Sequence, residues 1–440
     1  MSDNKIYALI DYEDEYVQPL VLEALKARIP AELLVLIKDV AELPSPDSRL
    51  LQWRQYESID FDHLLEHSST SLANSYIIRK ALIRKHYLST TVAHWLTKNP
   101  ESALRKSTKP SVEFEVDYAE FLDEALDAAE AWELRESWTR NETKTDEEEK
   151  EWWILKPGMS ERGQGIRLFS SEEELTAIFE EWDPPSDDEE DEEDEDDEVT
   201  TLPQHSRPNS PSISPKPPTS GIITSQLRHF IAQPYIHPPL LLPSPHPSAN
   251  RKFHLRTYVL ATGSLQIHLY KPILALFAGS TYLPPTSSTT TPENLPSHLT
   301  NTCLQSGERE GSVHAFWSLP SHLPNLSDNW KEDVFAQVCA STGQLFEAAA
   351  RSMAVHLQTL PNSFEVFGVD FMVDAEGVVW LLEVNAFPDF AQTGAELRGL
   401  VAGLVAGVVG RGVLPFFGVE GIGEEEEKMV RVLDVDLGRR

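Results

Sequence analysis

The stretch that decides the fold is Phe367-Gly368-Val369-Asp370-Phe371-Met372-Val373-Asp374, followed by Trp380-Leu381-Leu382-Glu383-Val384-Asn385. Two apolar runs joined by a glycine-bearing turn predict a β-hairpin. Alternate side chains of a strand share a face, so Glu383 and Asn385 point the same way, and Asp370 on the preceding strand can join them. Two carboxylates and an amide oxygen are hard ligands that suit Mg²⁺. The alternative is a hairpin whose acids face water, and the pattern by itself leaves both interpretations open.

A lysine and a glycine-bearing loop lie upstream of this hairpin. The segment Leu155-Lys156-Pro157-Gly158 is followed by Gly163-Gln164-Gly165-Ile166. A strand lysine can meet phosphate charge, and glycines let backbone N–H groups approach a phosphate closely. The segment matches neither the Walker nor the Rossmann pattern. Alone it is also compatible with an ordinary turn.

Taken in order, these pieces resemble ATP-grasp enzymes, and more closely the tubulin–tyrosine ligase family, in a fungal-type branch. The resemblance runs from about residue 76 to about residue 409. It rests on the following segments: Ile78-Arg79-Lys80, Leu155-Lys156, Ile231-Ala232-Gln233-Pro234-Tyr235-Ile236, Arg251-Lys252-Phe253-His254-Leu255-Arg256, His298-Leu299-Thr300-Asn301, and residues 364–385. The implied fold class is α/β (α+β), an ATP-grasp fold with a small N-terminal α/β domain.

The resemblance implies MgATP chemistry and a role for each matched residue. The implied nucleotide-binding residues are Lys80, Lys156, Gly163, Gly165, Gln233, Tyr235, Lys252 and Asn301. Asp370, Glu383 and Asn385 would hold Mg²⁺, and Arg256 and Lys271 would act in catalysis.

In the family reaction, ATP phosphorylates a carboxylate and an amine then attacks the acyl phosphate to form an amide. Family members add Tyr, Glu or Gly to protein tails, commonly those of tubulin. The resemblance therefore implies a protein substrate, tubulin or another, and a free amino acid. Two further hypotheses stay open. One is a nucleotide-binding interaction protein with altered or lost ligation, linked to cytoplasmic mRNA-decay bodies. The other is a ligase for a different, small substrate.

Two departures from the family pattern concern the amino-acid end of the site. His254 stands where the family has Asp, and Leu276 stands where it has Arg. Near the latter, Lys271 keeps one charge, but a lysine does not reproduce the planar fork of an arginine. We therefore expect the nucleotide site to be kept and the amino-acid pocket to be remodelled.

With the resemblance, the predicted organisation is an N-terminal α/β domain (1–75), a central ATP-grasp subdomain (76–238), a C-terminal ATP-grasp subdomain (239–420) and a tail (421–440). Residues 184–221 begin with acids and continue with Pro and Ser, which predicts a disordered insert. Periodicity predicts a strand at 5–11, helical structure over 71–96 and mostly over 114–151, and a buried helix at 400–410.

Net charge and cysteine content bear on whether the protein binds nucleic acid and on the compartment in which it is expected. The net charge is −34, and residues 187–198 are all acidic, so binding of nucleic acid through the global field is not predicted. The only cysteines are Cys303 and Cys339, which favours a reducing compartment. Neither a signal peptide nor a membrane span is predicted, so we expect a cytoplasmic protein. The oligomeric state is left open.

Overall fold

The structure is a computed structural model that describes residues 4–158, 163–183, 227–300, 312–390, 397–421 and 423–438. The predicted insert at 184–221 lies outside these residues, as do Asn301 and Cys303. No helix among the described residues is long and apolar enough to cross a membrane.

The N-terminal part is a four-stranded parallel sheet with strand order β2-β1-β3-β4. Its elements are β1 (Ile6–Asp11), α1 (Val17–Arg28), β2 (Leu34–Ile37), β3 (Arg49–Arg54), α2 (Phe61–Glu66) and β4 (Ser71–Ala73). The strand predicted at 5–11 is confirmed as β1. Its first four residues are buried, as the apolar run of an internal parallel strand requires.

Three helices then link this sheet to the rest of the chain: α3 (Lys80–Ile83), α4 (Lys85–Lys98) and α5 (Leu104–Ser107). The helical pattern predicted within 71–96 is confirmed as α3 and α4, but it does not extend to the first residues of that range. Residues 71–73 are strand β4, and Arg84 has an extended backbone that separates α3 from α4. Leu82, Leu88 and Leu104 pack in the same core as the C-terminal sheet, although this segment was assigned to the central subdomain.

The central part is an antiparallel sheet of order β5-β8-β6-β7 with its own aromatic core. Its elements are β5 (Val112–Glu115), α6 (Leu122–Ala128), α7 (Trp132–Glu142), β6 (Trp153–Pro157), β7 (Arg167–Phe169), α8 (Glu172–Trp182) and β8 (His229–Pro234). The helical prediction for 114–151 holds for α6 and α7. Residues 114 and 115 are strand instead, because β5 pairs with β8 across the sheet.

The C-terminal part is built on the long strand β9. Its elements are β9 (Phe253–Thr262), β10 (Gln266–Tyr270), β11 (Leu274–Phe277), α9 (Leu295–His298), β12 (Val313–Ala315), α10 (Trp330–Ser352), β13 (Phe364–Val373), β14 (Val379–Ala386), α11 (Arg398–Val408), α12 (Glu424–Glu427) and β15 (Met429–Asp434). β9 pairs with β10 and β11 along one edge and with β13 along the other. The predicted hairpin is confirmed as β13 and β14.

Two details of the C-terminal sequence bear on the predictions. The buried helix predicted at 400–410 is confirmed as α11, where a Cβ on Gly403 would lie 2.5 Å from the Tyr270 hydroxyl. Residues predicted as a tail form β15, which pairs with β10. The C-terminal sheet therefore extends beyond residue 420.

Candidate functional site

A cavity of about 520 Å³ lies between the central sheet and the C-terminal sheet. One wall comes from β6 and β8, and the opposite wall comes from β9, β13 and β14. The residues that line it include Arg84, Lys85, Lys109, Lys156, Gly163, Gln233, Tyr235, Lys252, His254, Arg256, Leu276, Thr300, Met372, Asp370, Glu383 and Asn385. Polar groups from five strands therefore converge on one enclosed space, which is the usual setting of a ligand site.

The three predicted metal ligands lie together on one wall. Asp370 is the direct cross-strand partner of Glu383. The Asn385 Nδ2 atom lies 3.4 Å from Asp370 Oδ2 and 3.3 Å from Glu383 Oε1. Binding a cation here requires the Asn385 amide to present its oxygen, a rotation that exchanges two nearly indistinguishable atoms. The donor set is then three hard oxygens, which fits Mg²⁺.

Cations hold Glu383 in its ionised form. The Lys85 ammonium lies 3.3 Å from Glu383 Oε2. Burial by itself raises the pKa of Glu383, but Lys85, Lys156 and Arg256 outweigh burial and lower that pKa to about 2. The carboxylate is therefore charged at any physiological pH.

Arg256 is bound to Asp370 through two contacts, one from Nε to Oδ1 and one of 2.9 Å from Nη2 to Oδ2. Burial lowers the pKa of Arg256, but Asp370 raises it above its ordinary value. The guanidinium thus stays charged beside the metal ligands. A bound cation and Arg256 would have to share the Asp370 carboxylate.

Lys156 on β6 and Gln233 on the neighbouring strand β8 are in contact, with Lys156 Nζ donating to Gln233 Oε1 at 2.9 Å. Burial, opposed by Glu383, lowers the pKa of Lys156 to about 8. Gly163 lines the cavity with a φ of +77°, and Gly165 has a φ of +72°. A Cβ on Gly165 would lie 2.6 Å from Pro157 Cγ, so this loop conformation needs glycine there.

The hinge after β8 forms an aromatic and basic corner of the cavity. The Lys252 ammonium lies 3.9 Å from the centre of the Tyr235 ring, and Tyr235 Oη lies 3.0 Å from His298 Nδ1. Burial, reinforced by Lys156, lowers the pKa of Lys252 well below its usual range. A phosphate or other anion in this corner would raise the pKa of Lys252 again by favouring its charged form.

The two departures from the family pattern are neighbours in space. His254 on β9 and Leu276 on β11 are direct cross-strand partners, and both side chains are buried. His254 Nδ1 lies 2.6 Å from Thr300 Oγ1. Burial lowers the pKa of His254, partly offset by Asp370, so the imidazole is neutral at physiological pH.

Three predicted site residues do not line the cavity: Gly165, Lys80 and Lys271. Lys80 at the start of α3 is exposed, and the lysine beside Glu383 is Lys85. Lys271 directly follows the last residue of β10 and is also exposed. Its ammonium lies 5.5 Å from the centre of the Trp317 ring. The role predicted for Lys271 is therefore not supported. Asn301 lies outside the described residues, although its neighbour Thr300 lines the cavity.

Sequence reasoning missed Lys85 and Lys109. The signal for Lys85 was present, since Arg84-Lys85 repeats the Arg79-Lys80 pair five residues later. Lys109 carried no such signal. It lies in the loop after α5, where its ammonium is 3.6 Å from the centre of the Trp380 ring.

The chain is similar in sequence to proteins of one family over most of its length. A profile of the tubulin–tyrosine ligase family matches residues 84–419, a span that includes Lys85 and excludes Lys80. A probable tubulin–tyrosine ligase of Schizosaccharomyces pombe is 42% identical over 417 residues, covering 94% of this chain and 93% of that protein. Probable tubulin–tyrosine ligase PBY1 of Saccharomyces cerevisiae is 40% identical over 94% of this chain, which spans about half (53%) of that protein's length.

A solved structure extends the likeness to the fold. The crystal structure of the C-terminal domain from K. lactis Pby1, described as an ATP-grasp enzyme interacting with the mRNA decapping enzyme Dcp2, has a TM-score of 0.68 and 35% identity. The match covers 98% of this chain and 99% of that one. The predicted fold, an ATP-grasp fold of mixed helix and sheet, is confirmed.

Proposed function

Because the chain belongs to the tubulin–tyrosine ligase family, we propose that it is an ATP- and Mg²⁺-dependent carboxylate–amine ligase. The observation that carries this proposal is the convergence of Asp370, Glu383 and Asn385 with Lys85 and Arg256 in one cavity. Acidic oxygens for a divalent cation and fixed cations for phosphate oxygens are the two requirements of phosphoryl transfer. The proposed products are an amide, ADP and inorganic phosphate.

Asp370, Glu383 and Asn385 would hold Mg²⁺, which supplies neutralisation of phosphate charge when bound. Lys85 and Lys156 would neutralise the remaining phosphate oxygens. Arg256 would stabilise charge on the transferring phosphoryl group, where a buried guanidinium is worth more than one in water. Since each of these cations is already held by a neighbour, little reorganisation is needed when the ligand enters.

The proposed chemistry needs no side-chain nucleophile. A carboxylate oxygen of the substrate forms a bond to the γ-phosphorus while the bond to the ADP oxygen breaks. The amine then attacks the acyl carbon, inorganic phosphate leaves, and one proton passes to solvent. Positioning and electrostatic stabilisation are the contributions of the protein.

A screen of ADP release tests the proposal. The twenty amino acids are supplied with MgATP, with and without tubulin, and ADP is measured for the wild type and for Asp370→Asn. We expect amine-dependent ADP release from the wild type alone. Equal release from both proteins, or MgATP binding that does not depend on Asp370, would contradict the assignment.

A second candidate is a nucleotide-binding interaction protein in mRNA decay, with ligation altered or lost. It is favoured by one observation, that a structural relative over nearly the whole chain is described as interacting with Dcp2. The neutral pair His254 and Leu276 agrees with altered ligation. This candidate would place the protein in the cytoplasm at mRNA-decay bodies, and it predicts MgATP binding without amine-dependent ADP release.

A further inference from the structure

A second cavity, of about 410 Å³, adjoins the first, and its lining is separate from that of the first over most of α4 and the loop after α5. The side chains that line both cavities are Lys85, Lys109, Lys156, Gln233, Leu381 and Leu382. It lies between α4, the loop after α5, and strands β8 and β14. The side chains that line it are Lys85, Leu88, Ser89, Val92, Ala93, Leu96, Arg105, Thr108, Lys109, Pro110, Ser111, Glu133, Lys156, Ile231, Gln233, Leu381 and Leu382. Its volume falls within the range of small-ligand and peptide-end sites.

The charge of this cavity is opposite to that of the chain. Four cations line it, Lys85, Arg105, Lys109 and Lys156, against the single acid Glu133. The whole chain has 37 Lys and Arg against 71 Asp and Glu. A basic cavity in such an acidic protein is complementary to an anion.

Part of the cavity wall is apolar. Leu88, Val92 and Leu96 recur every four residues along α4 and so form one stripe of that helix. Leu381 and Leu382 of β14 and Ile231 of β8 complete the lining. A ligand that satisfies both the walls and the cations carries an anionic group and apolar groups together.

The two cavities meet at the reaction centre. Lys85 and Lys156 line both of them, and the Lys85 ammonium is 3.3 Å from the metal ligand Glu383. A polar chain of side chains runs along this boundary, from Lys156 to Gln233 at 2.9 Å, from Gln233 to Ser111 at 3.4 Å, and from Ser111 to Ser89 at 2.7 Å. An anion guided along the second cavity therefore arrives beside the site of phosphoryl transfer.

We propose that the second cavity is the entry channel of the carboxylate substrate, and that this substrate is a protein C-terminus with apolar final residues. This inference rests on the proposed ligase function. The terminal carboxylate pairs with the cations at the junction, where Lys85 presents it to the γ-phosphorus. The apolar side chains next to it pack against α4 and β14. A tail made of consecutive acids does not match these walls.

The test uses the full chain and three fluorescein-labelled peptides with the same body. One ends in two leucines as a free acid, one ends in two leucines as the amide, and one ends in two glutamates. Anisotropy gives peptide affinity, and calorimetry on the same samples gives MgATP affinity. We expect the leucine free acid to bind most tightly, by about threefold or more over each of the others.

Two pairs of variants locate the binding. Ala93→Trp fills the exposed mouth of the cavity and should weaken the leucine free acid about tenfold, whereas Thr97→Trp on the same helix lies outside the cavity and should leave affinity unchanged. Arg105→Gln should weaken binding of the leucine free acid about threefold, and Lys98→Gln should leave that affinity unchanged. All four variants should bind MgATP within about twofold of the wild type.

The outcomes separate this inference from the function on which it rests. Intact MgATP binding with peptide affinity unaffected by Ala93→Trp overturns the channel alone. Absence of peptide binding, or preference for the glutamate peptide or the amide, also overturns it. Absence of MgATP binding in the wild type removes the proposed function and the channel with it.

Discussion

Two adjoining regions of the main cavity, here called the β14 end and the β11 end, differ in how charge is arranged, although His254 Nε2 lies only 3.8 Å from Asp370 Oδ2. At the β14 end, Glu383 and Asp370 are each held by a cation, Lys85 and Arg256 respectively. At the β11 end, the paired side chains are a neutral imidazole, His254, and an aliphatic group, Leu276. The charges of the β14 end are complementary to a polyanion with a divalent cation, whereas the paired side chains of the β11 end carry no charge. We therefore expect the nucleotide half of the family's chemistry to be retained and its recognition of an amino-acid carboxylate to be altered.

This difference matters because charge in a buried site must be matched. Cations at the β14 end are already oriented toward an entering anion, so their attraction offsets the free energy of desolvating that anion. A carboxylate at the β11 end meets Leu276, and its desolvation is left uncompensated there. Affinity for MgATP and affinity for a free amino acid should therefore respond to different substitutions.

The largest effect is expected for Glu383→Gln, which removes one charged ligand from the β14 end. The turnover rate should fall about a thousandfold, because a metal ligand is lost where phosphate charge develops and the activation free energy rises by about 4 kcal/mol. Titration calorimetry with MgATP and with ATP plus chelator measures the loss of metal dependence. Glu376→Gln in the exposed turn of the same hairpin is the control. Equal MgATP affinity in Glu383→Gln and wild type would remove the metal site.

The next effect concerns the β11 end. Ligation of tyrosine to detyrosinated tubulin should be about a hundredfold or more less efficient than by an authentic tyrosine ligase, since an unpaired carboxylate costs a few kcal/mol. The measurement is the rate at which labelled tyrosine is incorporated into detyrosinated tubulin by each of the two enzymes. Leu276→Arg should increase tyrosine-dependent ADP release, and Lys271→Arg, outside the cavity, should not. Comparable turnover by the wild type would show that the β11 end does not limit amino-acid recognition.

A smaller effect separates two lysines with similar sequence surroundings. Lys85→Met should weaken MgATP binding about tenfold, because it removes the cation beside Glu383. Lys80→Met should change that affinity by less than about twofold, since Lys80 is exposed outside the cavity. Calorimetry on both variants measures the difference. The reverse order of effects would restore the assignment made from the sequence.

The smallest effect is a pH dependence from Lys156, whose pKa in the free protein is about 8. Below that pH the ammonium is already present. Above it, phosphate must draw a proton onto Lys156, so MgATP affinity should fall about fivefold from pH 8 to pH 9. Lys156→Arg stays protonated throughout and should show no such decline. Calorimetry across this range in both proteins makes the test, and parallel declines would assign the titration elsewhere.

Much of the fold could be predicted from the sequence because the relevant signals are local. The hairpin of β13 and β14 follows from alternation and a glycine turn, and alternation alone puts Glu383 and Asn385 on one face. Helix α11 follows from its apolar run, and β6 from the residues around Lys156. The domain boundaries remain predictions. Two segments outside the predicted C-terminal subdomain, one around Leu88 and the other β15, pack on the C-terminal sheet.

The site itself was only partly predictable, because its geometry depends on contacts between distant segments. Arg79-Lys80 and Arg84-Lys85 are equivalent as sequence, and only the break in the helix at Arg84 decides that Lys85 faces Glu383. Lys271 and Leu276 are close in sequence, yet the turn between β10 and β11 leaves one exposed and the other buried.

The amino-acid sequence by itself determined strand β1, the hairpin of β13 and β14 with its candidate oxygen ligands, and the identities of His254 and Leu276. Tertiary structure alone decided that His254 and Leu276 are partners and that the basic cavity beside α4 opens onto Lys85. The physical reason is that side-chain alternation and helical periodicity act over a few residues, whereas strand register and helix packing are set by burying apolar surface from segments far apart in the chain.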